Sequence, residues 1–262
     1  MDNDTLMSIL AERRGSVRAA VSPEEWAARE DLAACYRLCA HYRMTDMIYN
    51  HISLRVPGTH DHFLINAFGL MYEEVSASNL IKIDVDGRPV DDSRLEANPA
   101  GFVIHAAIHR ARHDVGCVLH THTRAGVAVS AQREGLKILS QHAMRFHNRL
   151  AYHDYEGIAL DLGEQERLVR DLGTHRAMIL RNHGLLTTGA TVRDAFDEMY
   201  YLELACQIQV DAQSSGGALC QPPPEVCEHA AAQFARSGEF LQNRDWNALR
   251  RLLDRKDPSY KL

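Results

Sequence analysis

Three histidines in this chain have spacings that can hold a divalent metal ion. His120-Thr121-His122 closes the apolar run Gly116-Cys117-Val118-Leu119. In a strand, residues i and i+2 face the same way, so both imidazoles project together while Thr121 points opposite. Two such nitrogens can take one ion at about 2.0–2.1 Å and leave positions for a third ligand and a substrate. Arg181-Asn182-His183-Gly184, after another apolar run, offers a third candidate, with Gly184 expected to let the chain turn sharply. A three-histidine set keeps a coordination position open, which is the catalytic rather than the structural arrangement. An H-x-H pair alone can equally be two hydrogen-bonded core histidines, and spacing does not by itself bring His183 to the other two. Histidine is also enriched around the pair: of 15 in the chain, eight (105, 109, 113, 120, 122, 142, 147 and 153) fall between His105 and His153.

The elements that must position these residues are legible in outline. Ser22-Pro23-Glu24-Glu25 combines an N-cap, a first-turn proline and a glutamate three residues on, and Trp26, Leu32, Tyr36 and Cys39 continue at helical spacing to about Tyr42. Ile52–Val56, Phe63–Ile65 and Ile81–Val85 are short apolar or alternating runs between turn residues, with Asp86-Gly87 as a hairpin signal. Phe102 to Arg112 is helical in spacing, and 116–121 is a strand. A helix from about Ala125, a weaker strand near Lys137-Ile138-Leu139 and a loop rich in His and Tyr follow. Ala177–Leu180 and Leu185–Thr188 read as buried strands, and 194–213 as a long amphipathic helix. Residues 1–21 are expected to form an N-terminal arm, mobile or partner-binding. Residues 22–221 form a layered α/β domain, and 222–262, after Pro222-Pro223-Pro224, a helical tail on the same domain.

Composition narrows the function. Hydrophobic residues make up 45% and charged residues 24%, as in ordinary globular chains. The net charge of −6 gives no support to a role on nucleic acid. No apolar stretch is long enough to span a membrane, and none resembles a secretory signal. Six cysteines without a C-x-x-C pair read as reduced thiols, so a cytoplasmic protein is expected.

From about Asp31 to Ala212 the sequence resembles the class II aldolase/adducin family, which includes fuculose-phosphate aldolase and ribulose-phosphate epimerase. Four segments carry the resemblance: Asn50–Arg55 (NHISLR), Val103–His109 (VIHAAIH), Asp114–Thr123 (DVGCVLHTHT) and Leu180–Leu186 (LRNHGLL). It implies a three-layer α/β/α sandwich with a central, largely antiparallel sheet, commonly a homotetramer with sites between subunits. It also implies that His120, His122 and His183 bind one divalent ion per subunit, zinc before manganese or iron.

Departures from the family pattern bear on the reaction. The aldolases carry a P-[ST]-[ST]-E segment whose Glu is the acid–base group; here the run is Asn98-Pro99-Ala100-Gly101, and a glycine moves no proton. The phosphate-cradling G-N-x-S becomes Asn50-His51-Ile52-Ser53, and the P-S-G loop becomes Ala67-Phe68-Gly69. Asn50, Ser53, Phe68, Gly69 and Arg145 are the candidate substrate-binding residues, Arg145 (or Arg181) through a bidentate grip on a carboxylate. The expected activity is that of a lyase on a carbonyl compound or a hydroxy- or keto-acid, through a metal-stabilised enolate. Decarboxylation needs no base to begin, which suits the missing Glu better than aldol cleavage does. The proton donor then comes from His51, His105, or the 149–157 region. In the aldolases that region supplies a tyrosine to a neighbouring subunit, and Tyr152, His153 and Tyr155 share the assignment. His105 could instead pack beside the sheet, and His109 and His113 are expected on the surface. His142 and His147 are lesser candidates to line the pocket. Two other readings stand: an Fe(II) oxygenase on the same scaffold, since three neutral imidazoles also suit that ion, and a non-catalytic interaction module like the adducin heads. Retention of all three histidines favours an enzyme.

Overall fold

In chain order the computed structural model begins with helices α1 (Asn3–Ala20) and α2 (Pro23–His41) and strands β1 (His51–Arg55), β2 (His62–Ile65) and β3 (Ile81–Asp84). Helix α3 (Pro99–Ala111), strand β4 (Cys117–Thr121), helices α4 (Arg124–Ser130) and α5 (Gln141–Met144) and strand β5 (Leu150–His153) follow. The chain ends with helix α6 (Leu162–Leu172), strands β6 (Ala177–Leu180) and β7 (Gly184–Gly189), and helices α7 (Val192–Ser214), α8 (Pro224–Leu241) and α9 (Arg244–Lys256). The structure describes residues 2–91, 93–157 and 162–262. No described helix is long and apolar enough to cross a membrane.

The strands form one open seven-stranded sheet in the order β3-β2-β1-β4-β7-β6-β5, antiparallel except for the β5–β6 pair. Alternation along the strands sorts their side chains between two faces. On β4, Cys117 and Leu119 join the larger core under α2, α4 and α7, while Val118 joins a second core with Ile104 and Ile108 of α3 and Leu168 and Leu172 of α6. Both faces are thus covered, giving the three-layer α/β/α sandwich with a mostly antiparallel sheet. Tyr36 of α2 ties the first layer to the sheet: its hydroxyl, fully buried, donates to Ile52 O (2.5 Å) or Asn66 Oδ1 (2.8 Å) and accepts from both of their backbone N–H groups.

Two local expectations are corrected. Lys137-Ile138-Leu139 is not a strand; Lys137 N donates to Gln209 of α7, Leu139 N turns back on Lys137 O, and Ile138 packs against the larger core. The strand lies instead at 150–153, within the stretch expected to be a His- and Tyr-rich loop. It exists because β6 offers it a parallel partner, a long-range pairing that local composition does not encode.

The 1–21 arm is a helix, capped by Asp2, whose side chain accepts from Thr5 N. Ile9 packs with Phe63, Ile65, Ile81 and Ile83 on the β2–β3 part of the sheet. Arg13 is buried and donates to Ser78 O (3.2 Å) and Leu80 O (3.0 Å) while pairing with Asp91 (3.0 Å). In the 222–262 tail α8 lies against α5, with Glu228 pairing with Arg149 (2.7 Å). The part from α9 onward lies on α2, where Trp246 and Arg250 reach Asp31 and Arg37 reaches Asp257 and Ser259. Because Arg13 satisfies two buried carbonyls as well as a charge, Arg13→Met is expected to lower the stability by about 3 kcal/mol. A urea-unfolding midpoint indistinguishable from that of the parent would contradict this docking.

Candidate metal centre

The register of the central strands assembles the site. β1 pairs with β4 so that His51 lies opposite His120, and β4 pairs with β7 so that His120 lies opposite Leu186 and Thr121 opposite Leu185. Thr121 points into the α7 side and contacts Met199, which leaves His120 on the α3 side with His51. His183 sits in the three-residue turn between β6 and β7, whose positive-φ residue is Asn182 (56°). Gly184 serves the turn differently from the sequence expectation: its φ is not positive, but a Cβ there would lie 2.3 Å from Thr121 O. Only glycine lets β7 start that close to the end of β4, and this brings His183 beside His122.

The three imidazoles converge through one nitrogen each. His120 Nε2 lies 2.8 Å from His122 Nε2, which lies 3.0 Å from His183 Nε2. The opposite nitrogens of two rings are already engaged: His120 Nδ1 bonds Leu185 O at 2.9 Å, and His122 Nδ1 bonds Asp46 Oδ2 at 2.9 Å. Both acceptors demand the proton on Nδ1, so both Nε2 atoms present lone pairs to each other. Facing lone pairs without a proton between them repel unless a cation lies among them. Burial, reinforced by the neighbouring imidazoles, holds His120 far below the ordinary histidine range and His183 at about 4. His120 and His183 are therefore neutral at neutral pH, and the three-nitrogen donor set fits a divalent ion.

The other sequence candidates divide. His51 is buried with its ring centroid 5.2 Å from that of His120. His105 lies behind it, Nε2 at 2.8 Å from His51 Nδ1, and Ser53 lies behind His105, so neither faces the metal position directly. Asn50, next to His51, is buried, and neither end of its amide has a hydrogen-bond partner among the described residues. Phe68 is exposed on the turn after β2, and Gly69 there adopts φ +101°. Tyr155, also exposed, has its ring centroid 6.3 Å from that of His183. Beside it His153 is buried, with Nδ1 2.8 Å from Asp171 and Nε2 3.6 Å from Glu164.

Two candidates lie apart from the centre. Tyr152 packs on the other sheet face, its hydroxyl accepting from Leu136 N and its ring lying under the Arg181 guanidinium. Arg145 pairs with Asp197 and with Glu198 (3.3 Å) and lies over Tyr201; it lines a cavity of about 530 Å³ to which none of the three histidines contributes. His142 stacks on the same Tyr201. His109, expected on the surface, is fully buried, stacked on Phe63 at 4.4 Å and bonded to Ser53 Oγ at 2.8 Å; His113 is exposed as expected. Asp46, which orients His122, has no sequence signal, since it sits in an irregular loop just ahead of Met47, itself at positive φ.

The fold and this site define a class. The family model of the Class II Aldolase and Adducin N-terminal domain matches residues 30–210, and the chain belongs to that family. An aldolase II superfamily protein from Pseudomonas syringae superposes with a TM-score of 0.91 at 56% identity, covering 95% of this chain and all of the other. The L-fuculose 1-phosphate aldolase from Glaciozyma antarctica PI12 superposes with a TM-score of 0.80 at 27% identity, covering 90% of this chain and 92% of the aldolase. The alpha-adducin of Rattus norvegicus is 44% identical over 207 residues, 78% of this chain but 28% of the adducin.

Removing a carboxylate that orients a metal-bound histidine typically weakens metal binding about 10–100-fold. Asp46→Ala is expected to do so here, measured by competition with a chromogenic chelator, and unchanged affinity would show that Asp46 does not orient His122. His109 makes a separate pH prediction. Burial lowers it from 6.5 to about 3, so the unfolded chain binds a proton there that the folded chain refuses. As pH falls from about 6.5 toward 3, this residue should remove about 1.4 kcal/mol of stability per pH unit. His109→Gln should flatten the dependence of unfolding free energy on pH by that amount over the same window.

Proposed function

We propose that the protein is a divalent-metal-dependent lyase that breaks a C–C bond next to a carbonyl, in a carbonyl compound or a hydroxy- or keto-acid. The observation that carries this reading is the convergence of three imidazole nitrogens, with the outer protons of His120 and His122 held by Leu185 O and Asp46. Zinc is the expected ion, with manganese or iron as alternatives that also accept imidazole. A divalent ion there keeps its full charge, because no ligand is anionic, and supplies Lewis-acid polarisation of a carbonyl oxygen.

The chain's own groups supply the rest. His51 stands over His120 as a proton-transfer group, and the unpartnered amide of Asn50 can bind a polar oxygen of the substrate. Tyr155 and the carboxylate-held His153 flank the His183 side. A homo-oligomer with sites near subunit contacts, in the cytoplasm, belongs to the same proposal: the exposed side chains of Met47, Tyr49, Phe68 and Tyr155 are what a neighbouring subunit would cover. The identity with alpha-adducin favours a second reading, a domain that binds partners without catalysis.

Metal content separates the two. Purified protein, as isolated or after loading with zinc, manganese or Fe(II), is expected to hold one ion per chain. It should then cleave at least one member of a panel of β-hydroxy carbonyl compounds and β-keto acids, detected as released aldehyde or CO₂. Loss of the ion in a His120→Ala/His122→Ala variant should abolish this. A protein that takes up no stoichiometric ion under any of these conditions is not this lyase.

A further inference from the structure

We propose that His51 is the acid–base residue of this centre, and that Ser53, His105, His109 and Gly101 are the positioning residues that hold its ring in place; the catalytic half of this rests on the lyase reading. A buried chain of hydrogen bonds runs inward from His51: Nδ1 to His105 Nε2 at 2.8 Å, His105 Nδ1 to Ser53 Oγ at 2.6 Å, and Ser53 Oγ to His109 Nε2 at 2.8 Å. His109 is itself fixed, stacked on Phe63 and with its carbonyl oxygen accepting from Arg55 at 2.7 Å. The far side of the His51 ring meets the first turn of α3. A Cβ on Gly101 would lie 2.5 Å from His51 Cδ2, 2.7 Å from Cγ and 2.9 Å from Nε2. The ring cannot retreat from such a contact, because the chain of hydrogen bonds holds it from the other side. Any side chain at position 101 and the imidazole of His51 therefore claim one volume, and glycine at 101 is what leaves the imidazole beside His120.

The same chain occupies one nitrogen of His51 and leaves the other to work. Nδ1 is committed to His105 at 2.8 Å, which leaves Nε2 as the nitrogen that can meet a substrate. The chain can run in either direction. When it starts at His51, Nδ1–H donates to His105, His105 Nδ1–H to Ser53 and the Ser53 hydroxyl to His109. The Nε2 of His51 then carries the lone pair, and the buried His109 Nδ1 at the far end has no hydrogen-bond partner among the described residues. In an aldol-type cleavage that lone pair takes the substrate's hydroxyl proton: the O–H bond breaks and Nε2–H forms. The C–C bond then breaks with its electron pair left on the carbon next to the carbonyl. Finally Nε2–H breaks as the same proton forms the new C–H bond, so His51 ends as it began. A resident base of this kind restores aldol cleavage alongside decarboxylation, although position 101 is glycine.

Three variants of the full chain test the proposal: Gly101→Ala, His51→Ala and the double. Gly101→Ala should lower Tm clearly, and adding His51→Ala should recover most of the loss, because the double variant removes the ring the methyl group strikes. Gly101→Ala with an unchanged Tm, or no recovery in the double variant, overturns the steric pairing without reference to activity. Nitrogen-15 spectra of histidine-labelled protein should show His51 protonated on Nδ1, and Ser53→Ala should shift that signal; an Nε2-protonated His51, or one indifferent to Ser53→Ala, overturns the positioning chain. On the panel substrate cleaved by the parent protein, His51→Ala and His51→Gln should each keep one ion per chain and lose at least 100-fold in kcat. Full kcat in a metal-loaded His51→Gln removes His51 from the chemistry. A parent protein that binds its ion and cleaves nothing sinks the lyase reading, and the catalytic role with it, while the melting and spectral results still judge the positioning.

Discussion

The antiparallel register of β1 against β4 is the constraint on which the rest depends. His51 lies opposite His120, and strand geometry then sends both imidazoles to the α3 side of the sheet. A slip of β1 by one residue against β4 would turn His51 and Ser53 to the α7 side and send Ile52 out of the larger core. Apolar packing on one face therefore fixes the chemistry on the other. Tyr36 reinforces the register from below, because its hydroxyl bridges the backbone of Ile52 in β1 and of Asn66 just past β2.

The turn after β6 completes what the register begins. His183 would be remote from His120 in a longer connection. Three residues, one in the left-handed region at Asn182, and a glycine pressed against Thr121 O place it at 3.0 Å from His122. Two of the ligands thus come from the period of a strand and one from the steric tolerance of a glycine.

These origins explain what the sequence disclosed. His120 and His122 were legible because a strand's period is local, and Gly184 was legible as a necessary glycine, though its reason proved to be close approach rather than backbone angle. The bringing together of His183 with the pair was legible only through the family resemblance, because a contact across two strands has no local signature. His109 was misjudged because α3 is covered on more than one side: Ile104 and Ile108 face the β-sheet core while His105 and His109 face β1. A helical period identifies one inward stripe and assigns the neighbouring positions to solvent, which fails for a helix wedged between two surfaces. Strand β5 and the orienting role of Asp46 escaped for the same cause, since each exists only through a partner distant in sequence.

Two groups of histidines share the α3 side of the sheet and make opposite electrostatic demands. In the His51–His105–Ser53–His109 chain each close pair of polar atoms has a proton to place between them, while the buried His109 Nδ1 at its far end has no hydrogen-bond partner among the described residues. In the His120–His122–His183 group the outer protons of His120 and His122 are drawn off by Leu185 O and Asp46, and the inner nitrogens of these two face one another with none to share. Burial sharpens the contrast, because a low-dielectric surrounding holds His120 and His183 in the neutral form. The first group shares protons along its length, whereas the second presents a donor set that fits a divalent ion. His51 ends the first group and lies against the second, its ring centroid 5.2 Å from that of His120, so the geometry of the one sets the approach to the other.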